Sequence, residues 1–208
     1  MGEGPVALAK FGDSPPRLLL ALVGAVAAGV LMSFGQTFAA EGVAPLFNSA
    51  APVVALAAVV ALAARTRSSH LAGGAVAGPL AMVGYYTTSQ LRGFPVSMRM
   101  VVFWSVAGVV AGAAAGLAVW LLRENGTGAV RAVGAGYLPG VAVGEAAHGL
   151  TRIADTTPVA YWWVLAAAGV ALLAWTAGRH LDGSRLRLMA AVATVVVAAG
   201  LWAVYGLA

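Results

Sequence analysis

The chain of 208 residues contains no cysteine, which excludes disulfides, thiolate nucleophiles and cysteine-ligated metals. Charge is almost as scarce. Charged residues make up 9% of the chain, against about 25% in soluble domains, so no sizeable soluble domain fits. Aspartate occurs only at Asp13, Asp155 and Asp182. That rules against an Asp-rich diphosphate motif, and with it against ionisation of a prenyl diphosphate. No P-loop, dinucleotide fingerprint, zincin helix or Gly-x-Ser-x-Gly elbow occurs. No serine neighbours His148 in sequence, so a serine triad has no support. Nothing implies a cofactor.

What is present is apolar: 61% of residues are hydrophobic and 27 are glycine. Seven apolar runs, roughly 18–40, 43–64, 70–91, 96–122, 129–150, 158–178 and 187–207, read as membrane-spanning helices. The expected fold is therefore an all-α, polytopic, seven-helix membrane bundle over residues 18–208, preceded by a flexible tail over 1–17. The late start and length of the first run argue against a signal peptide.

The net charge of +5 does not point to nucleic acid, because the basic residues sit at the edges of apolar runs. Lys10, Arg17, Arg65, Arg67, Arg123, Arg131, Arg179, Arg185 and Arg187 fall on one side; Arg92, Arg99 and Arg152 fall on the other. That asymmetry predicts a cell-membrane protein with a cytoplasmic N-terminus and an external C-terminus.

The stretch Val130 to Trp163 draws the most attention. Glu145, His148 and Arg152 follow one another at helical spacings of three and four and so share one face. Glu145 lies about 15 residues into its run, within or near the outer hydrocarbon, where an ionisable residue is costly and by default functional. Desolvation disfavours the charged form, so an unpaired Glu145 is expected to be neutral and able to donate a proton. His148 would share that proton, and Asp155 would serve as a second acid or base. The alternative is a structural pair in which Glu145 glues helices together. Glu145-x-x-His148 also has the spacing of carboxylate-bridged metal helices. The second motif and extra glutamates such a site needs are missing, so no metal is expected.

Gln36, Asn48, Tyr85, Tyr86, Tyr161, Trp162 and Trp202 map, with Glu145, to the outer half, and with Trp104 they are candidates to line a lipophilic pocket. Trp163 and Tyr205 read instead as interfacial anchors. In Asp155-Thr156-Thr157-Pro158, Thr157 is the expected N-cap and Pro158 the first helical residue.

A shift of 60 residues lays Gly74, Pro79, Gly84 and Arg92 on Gly134, Pro139, Gly144 and Arg152. The first run shares the theme, so Gly35-Gln36, Gly84-Tyr85 and Gly144-Glu145 should lie at similar depth. Three helical hairpins plus a closing seventh helix would follow. Pro79 and Pro139 should kink their helices, with neighbours satisfying the freed carbonyls. Gly108, Gly112 and Gly116 either pack inside the bundle or face a second copy in a homodimer.

The runs Leu46-to-Pro52, Gly84-Tyr85-Tyr86-Thr87-Thr88 and Arg99-to-Trp104 are similar to a group of small actinobacterial membrane proteins of unassigned function. The overall plan also resembles the small seven-helix membrane terpene cyclases, in size, helix count, absence of a diphosphate motif and reliance on membrane-embedded acids. No motif aligns residue by residue, so no catalytic assignment is carried over. The resemblance implies a terpene cyclase or isomerase acting on a prenyl-derived lipid. Glu145 would start the reaction by protonating an epoxide or alkene, and aromatic faces would stabilise the cation. A proton-coupled exporter or channel using Glu145 and His148 is the alternative, and an accessory membrane subunit a third.

Overall fold

The computed structural model describes residues 15–125 and 127–207. Most of the expected tail lies outside them, but its last residues, Pro15 to Arg17, already belong to a helix. Seven α-helices follow: α1 Pro15–Phe38, α2 Ala50–Leu62, α3 Arg67–Leu91, α4 Met98–Trp120, α5 Gly128–Arg152, α6 Val159–His180 and α7 Ser184–Tyr205. A 3-10 segment, Glu41–Asn48, leads into α2, and a π-helical turn, Leu121–Asn125, extends α4. No strand occurs among the described residues. Local chemistry accounts for several starts. Prolines are tolerated in the first turn of α1, and Thr66 and Ser69 cap the start of α3 reciprocally.

Helices α1, α4, α6 and α7 are long and apolar enough to cross a membrane, so the chain is a helical membrane bundle. Helices α3 and α5 have 25 residues each, but glycines and polar residues dilute their hydropathy. They bury most of their glycines against neighbouring helices and keep only a few apolar side chains, such as Val83 and Val133, on the outside. The second apolar run departs from expectation. It is not one helix but the 3-10 segment and α2, bent by 55° at the break. The 13 residues of α2 span about 20 Å, short of a hydrocarbon core of about 30 Å.

Close backbone approaches define two triplets. In the first, α3 lies between α4, antiparallel to it, and α1, parallel to it. In the second, α5 lies between antiparallel α6 and parallel α7. A Cβ at Gly84 would fall on the Val26 carbonyl of α1, and one at Gly144 would lie 2.6 Å from the Ala198 carbonyl of α7. The 60-residue correspondence therefore holds at these two glycines. The hairpin grouping does not, because α1 packs chiefly on α3 and hardly on α2. Gly108, Gly112 and Gly116 lie against Gly74, Gly78 and His70 of α3, which places this stripe inside the bundle.

Pro139 is fully buried, and its ring removes the donor that the Ala135 carbonyl would otherwise receive. The Thr176 hydroxyl of α6 comes within 3.2 Å of Ala135 O while bonding Leu172 O of its own helix at 2.9 Å. The Thr194 hydroxyl of α7 is likewise shared between Gly136 O at 3.2 Å and Ala190 O at 2.9 Å. Helix α2 fills the space between the triplets, packing on α3, α4 and α5. Its Val54, Ala57, Val60 and Ala61 join Ala25, Ala77, Ala115 and Val141 in a core made mostly of small side chains.

Candidate functional site

Glu145 is 2% exposed, and its partner is the broken helix. The backbone N–H of Ala50 donates to one carboxyl oxygen and that of Ala51 to the other, each at 2.6 Å. These are the first two amides of α2, which have no partner within their own helix. Ser49 occupies the N-cap position but its side chain does not cap α2. Its hydroxyl instead receives the Tyr161 hydroxyl at 3.0 Å. The Tyr205 hydroxyl donates to Glu145 at 2.5 Å.

A carboxylate has about four acceptor positions across its two oxygens, and here the two amides and the Tyr205 hydroxyl occupy three of them. The partial positive charge of a helix N-terminus favours an anion at the same place. The expectation of an unpaired Glu145 therefore meets a different arrangement. A protonated acid would have to aim its own O–H at one of these donors. The physical reason is the break at Ser49: a helix beginning inside the bundle exposes amides, and with Ser49 not capping them the acceptor comes from another helix.

His148, one turn along α5, does not share the carboxyl's hydrogen bonds. Its ring stacks on Tyr205 at 4.2 Å between centroids, 15° from parallel. Trp104 of α4 meets the same tyrosine at 5.4 Å. Glu145, Ser49, Tyr161, Tyr205, His148 and Trp104 thus form one cluster where α2, α4, α5, α6 and α7 meet.

Other sequence candidates stand apart from it. Gln36 and Tyr85 do lie at one depth, as expected, because the Tyr85 hydroxyl donates to the Gln36 side chain. They form their own pair between α1 and α3, with Tyr86 edge-on to Tyr85 at 5.0 Å. Trp162 is buried as an anchor between α5 and α6: its ring takes the space that Gly149 leaves, and its N–H donates to Thr157 at 2.8 Å. Trp202 donates to Thr151 at 3.3 Å and carries Arg152 over its ring at 4.9 Å, so Arg152 turns away from Glu145. Asp155 and Asn48 are exposed. Helix α6 begins at Val159 with Pro158 before it and no side-chain cap; Thr157 donates instead to Ile153 O at 2.6 Å.

Tyr205 is the member of the cluster that its position near the C-terminus disguised as a membrane anchor. Ser49 had a usable signal: it lies between Pro45 and Pro52, two residues that interrupt a helix approaching from the N-terminal side. No group of three or more metal-binding side chains occurs among the described residues.

Residues 10–208 match a family of unknown function, DUF6518, to which the chain therefore belongs. Neither curated proteins nor solved structures give a match.

Proposed function

We propose that this protein is a seven-span carrier in the cell membrane, N-terminus cytoplasmic, which moves a small lipophilic molecule in exchange for protons bound at Glu145. The observation that carries this reading is the helix break at Ser49, with the first two amides of α2 held by the buried Glu145 carboxyl. Interrupted helices whose N-termini meet an anion near mid-membrane are a recurring device of transporters. Protonating Glu145 removes the charge that the α2 N-terminus holds and turns one acceptor oxygen into a donor. The clamp then loosens and α2 is free to move relative to α5. A proton thereby changes the path through the bundle.

A second reading, the terpene cyclase, draws support from the aromatic faces of Trp104 and Tyr205 beside the acid. It requires Glu145 to hand a proton to a substrate while three donors face it, which makes it the weaker of the two. An accessory subunit would use the same clamp only to hold the fold.

Vesicles containing the purified protein separate the three. With a pH gradient imposed, a panel of lipophilic small molecules should include one whose addition dissipates the gradient, and Glu145→Gln should abolish that response while the protein stays folded. Isomeric products formed from prenylated aromatics, with no effect on the gradient, would favour the cyclase. A folded Glu145→Gln protein indistinguishable from the parent in both assays would refute a proton role for Glu145.

A further inference from the structure

At the arginine-rich end of the bundle, the last turn of α2 borders a cleft of about 490 Å³, within the range of small-molecule sites. Arg17 of α1, Arg65 after α2 and Arg123 after α4 line it, together with Leu62, Ala63 and Ala64. Arginines from three parts of the chain line one concavity.

Membrane topology alone explains why arginines gather at this end; it does not explain why three of them face one cleft. Arg67, at the same end, lies over the Trp120 ring at 5.2 Å, as an interfacial arginine ordinarily does. Arg123 donates one N–H to the Leu62 carbonyl at 2.8 Å, which fixes its guanidinium at the cleft wall. A guanidinium carries five N–H donors, so one such bond leaves others for a ligand. Planar forks of this kind match phosphate oxygens two at a time.

We propose that this cleft binds a phosphate-bearing anion, with Arg17, Arg65 and Arg123 as its ligands. The chemistry is common to an acidic phospholipid headgroup and to a free phosphate compound, and the cleft lies where helix ends meet the membrane surface. The proposal is independent of what Glu145 does at the other end of α2.

Native mass spectrometry of the purified full chain in detergent, titrated in turn with phosphatidylglycerol, phosphatidylcholine and inorganic phosphate, tests it. Phosphatidylglycerol binding stronger than phosphatidylcholine binding identifies a lipid headgroup site, and binding of inorganic phosphate identifies a free-anion site. Either should weaken about tenfold in Arg17→Gln, as expected for one lost charge-assisted contact. Arg65→Gln should act in the same direction. Arg187→Gln, which removes a charge at the same end but outside this cleft, should leave the affinity unchanged. Overturning results would be no binding of either anion, or an equal loss in Arg17→Gln and Arg187→Gln, since the latter would show only general attraction to positive charge.

Discussion

The half built on α3 and the half built on α5 share a plan and differ in one respect. Each has a proline-bearing inner helix, an antiparallel neighbour, and a parallel neighbour that comes close at Gly84 or Gly144. Each places a tyrosine hydroxyl on a polar acceptor between the inner helix and its parallel neighbour: Tyr85 on Gln36, Tyr205 on Glu145. In the first half the acceptor is a neutral, exposed amide. In the second it is a buried carboxyl that also receives the start of α2. A neutral pair suffices where nothing else meets it. A carboxyl suits a helix N-terminus that lies inside the bundle, because that terminus presents unpaired amides and partial positive charge together.

The largest effect should come from deleting the two acceptors. Glu145→Ala leaves two amides and the Tyr205 hydroxyl without their buried partner and should cost about 3 kcal/mol. Gln36→Ala should cost about 0.6 kcal/mol, the usual scale of a polar contact between membrane helices. Reversible unfolding in mixed micelles measures both, and equal costs would erase the distinction between the halves. Next come the shared glycines. Gly84→Leu and Gly144→Leu should each cost about 2 kcal/mol by overpacking, and tolerance at one but not the other would break the correspondence between the triplets.

The tyrosines sharpen the contrast further. Tyr205→Phe removes a hydrogen bond to a charged group and should cost about 1.5 kcal/mol, whereas Tyr85→Phe should cost about 0.6 kcal/mol. The smallest effect belongs to Gly24, where an added Cβ meets nothing within 4 Å. Gly24→Ala should stabilise by about 0.5 kcal/mol through helix propensity alone.

Much of this architecture could be read from the chain. Six of the seven apolar runs became single helices, because continuous apolar sequence has few other ways to satisfy its backbone in lipid. Glu145 stood out as the one carboxyl deep in an apolar run, and the depth shared by Gln36 and Tyr85 followed from the offset glycines. The break at Ser49 was masked because Pro45 and Pro52 lie in a run whose hydropathy suits a continuous span. Once the break was missed, the partners of Glu145 were out of reach, since Ala50 and Ala51 contribute backbone and carry no signal in their side chains. Tyr205 escaped for another reason: a tyrosine near the end of a membrane helix is equally at home at the interface, and only packing of α7 against α5 turns it inward. Sequence spacing gave Glu145 and His148 a common helical face but could not tell that the space beside them would be taken by a tyrosine ring.

The claim on which all of this rests is that the charge of Glu145 holds the start of α2 in place. The absence of cysteine allows clean spin labelling at two introduced sites. Gly42, in the 3-10 segment, and Gly178, near the opposite end of α6, both have open space where a side chain would stand. Pulsed electron resonance should give one narrow distance between labels at these positions in the parent and a broadened or displaced distribution in Glu145→Gln. A distribution unchanged by that substitution would mean that α2 stays in place without the carboxylate, and the account would fail.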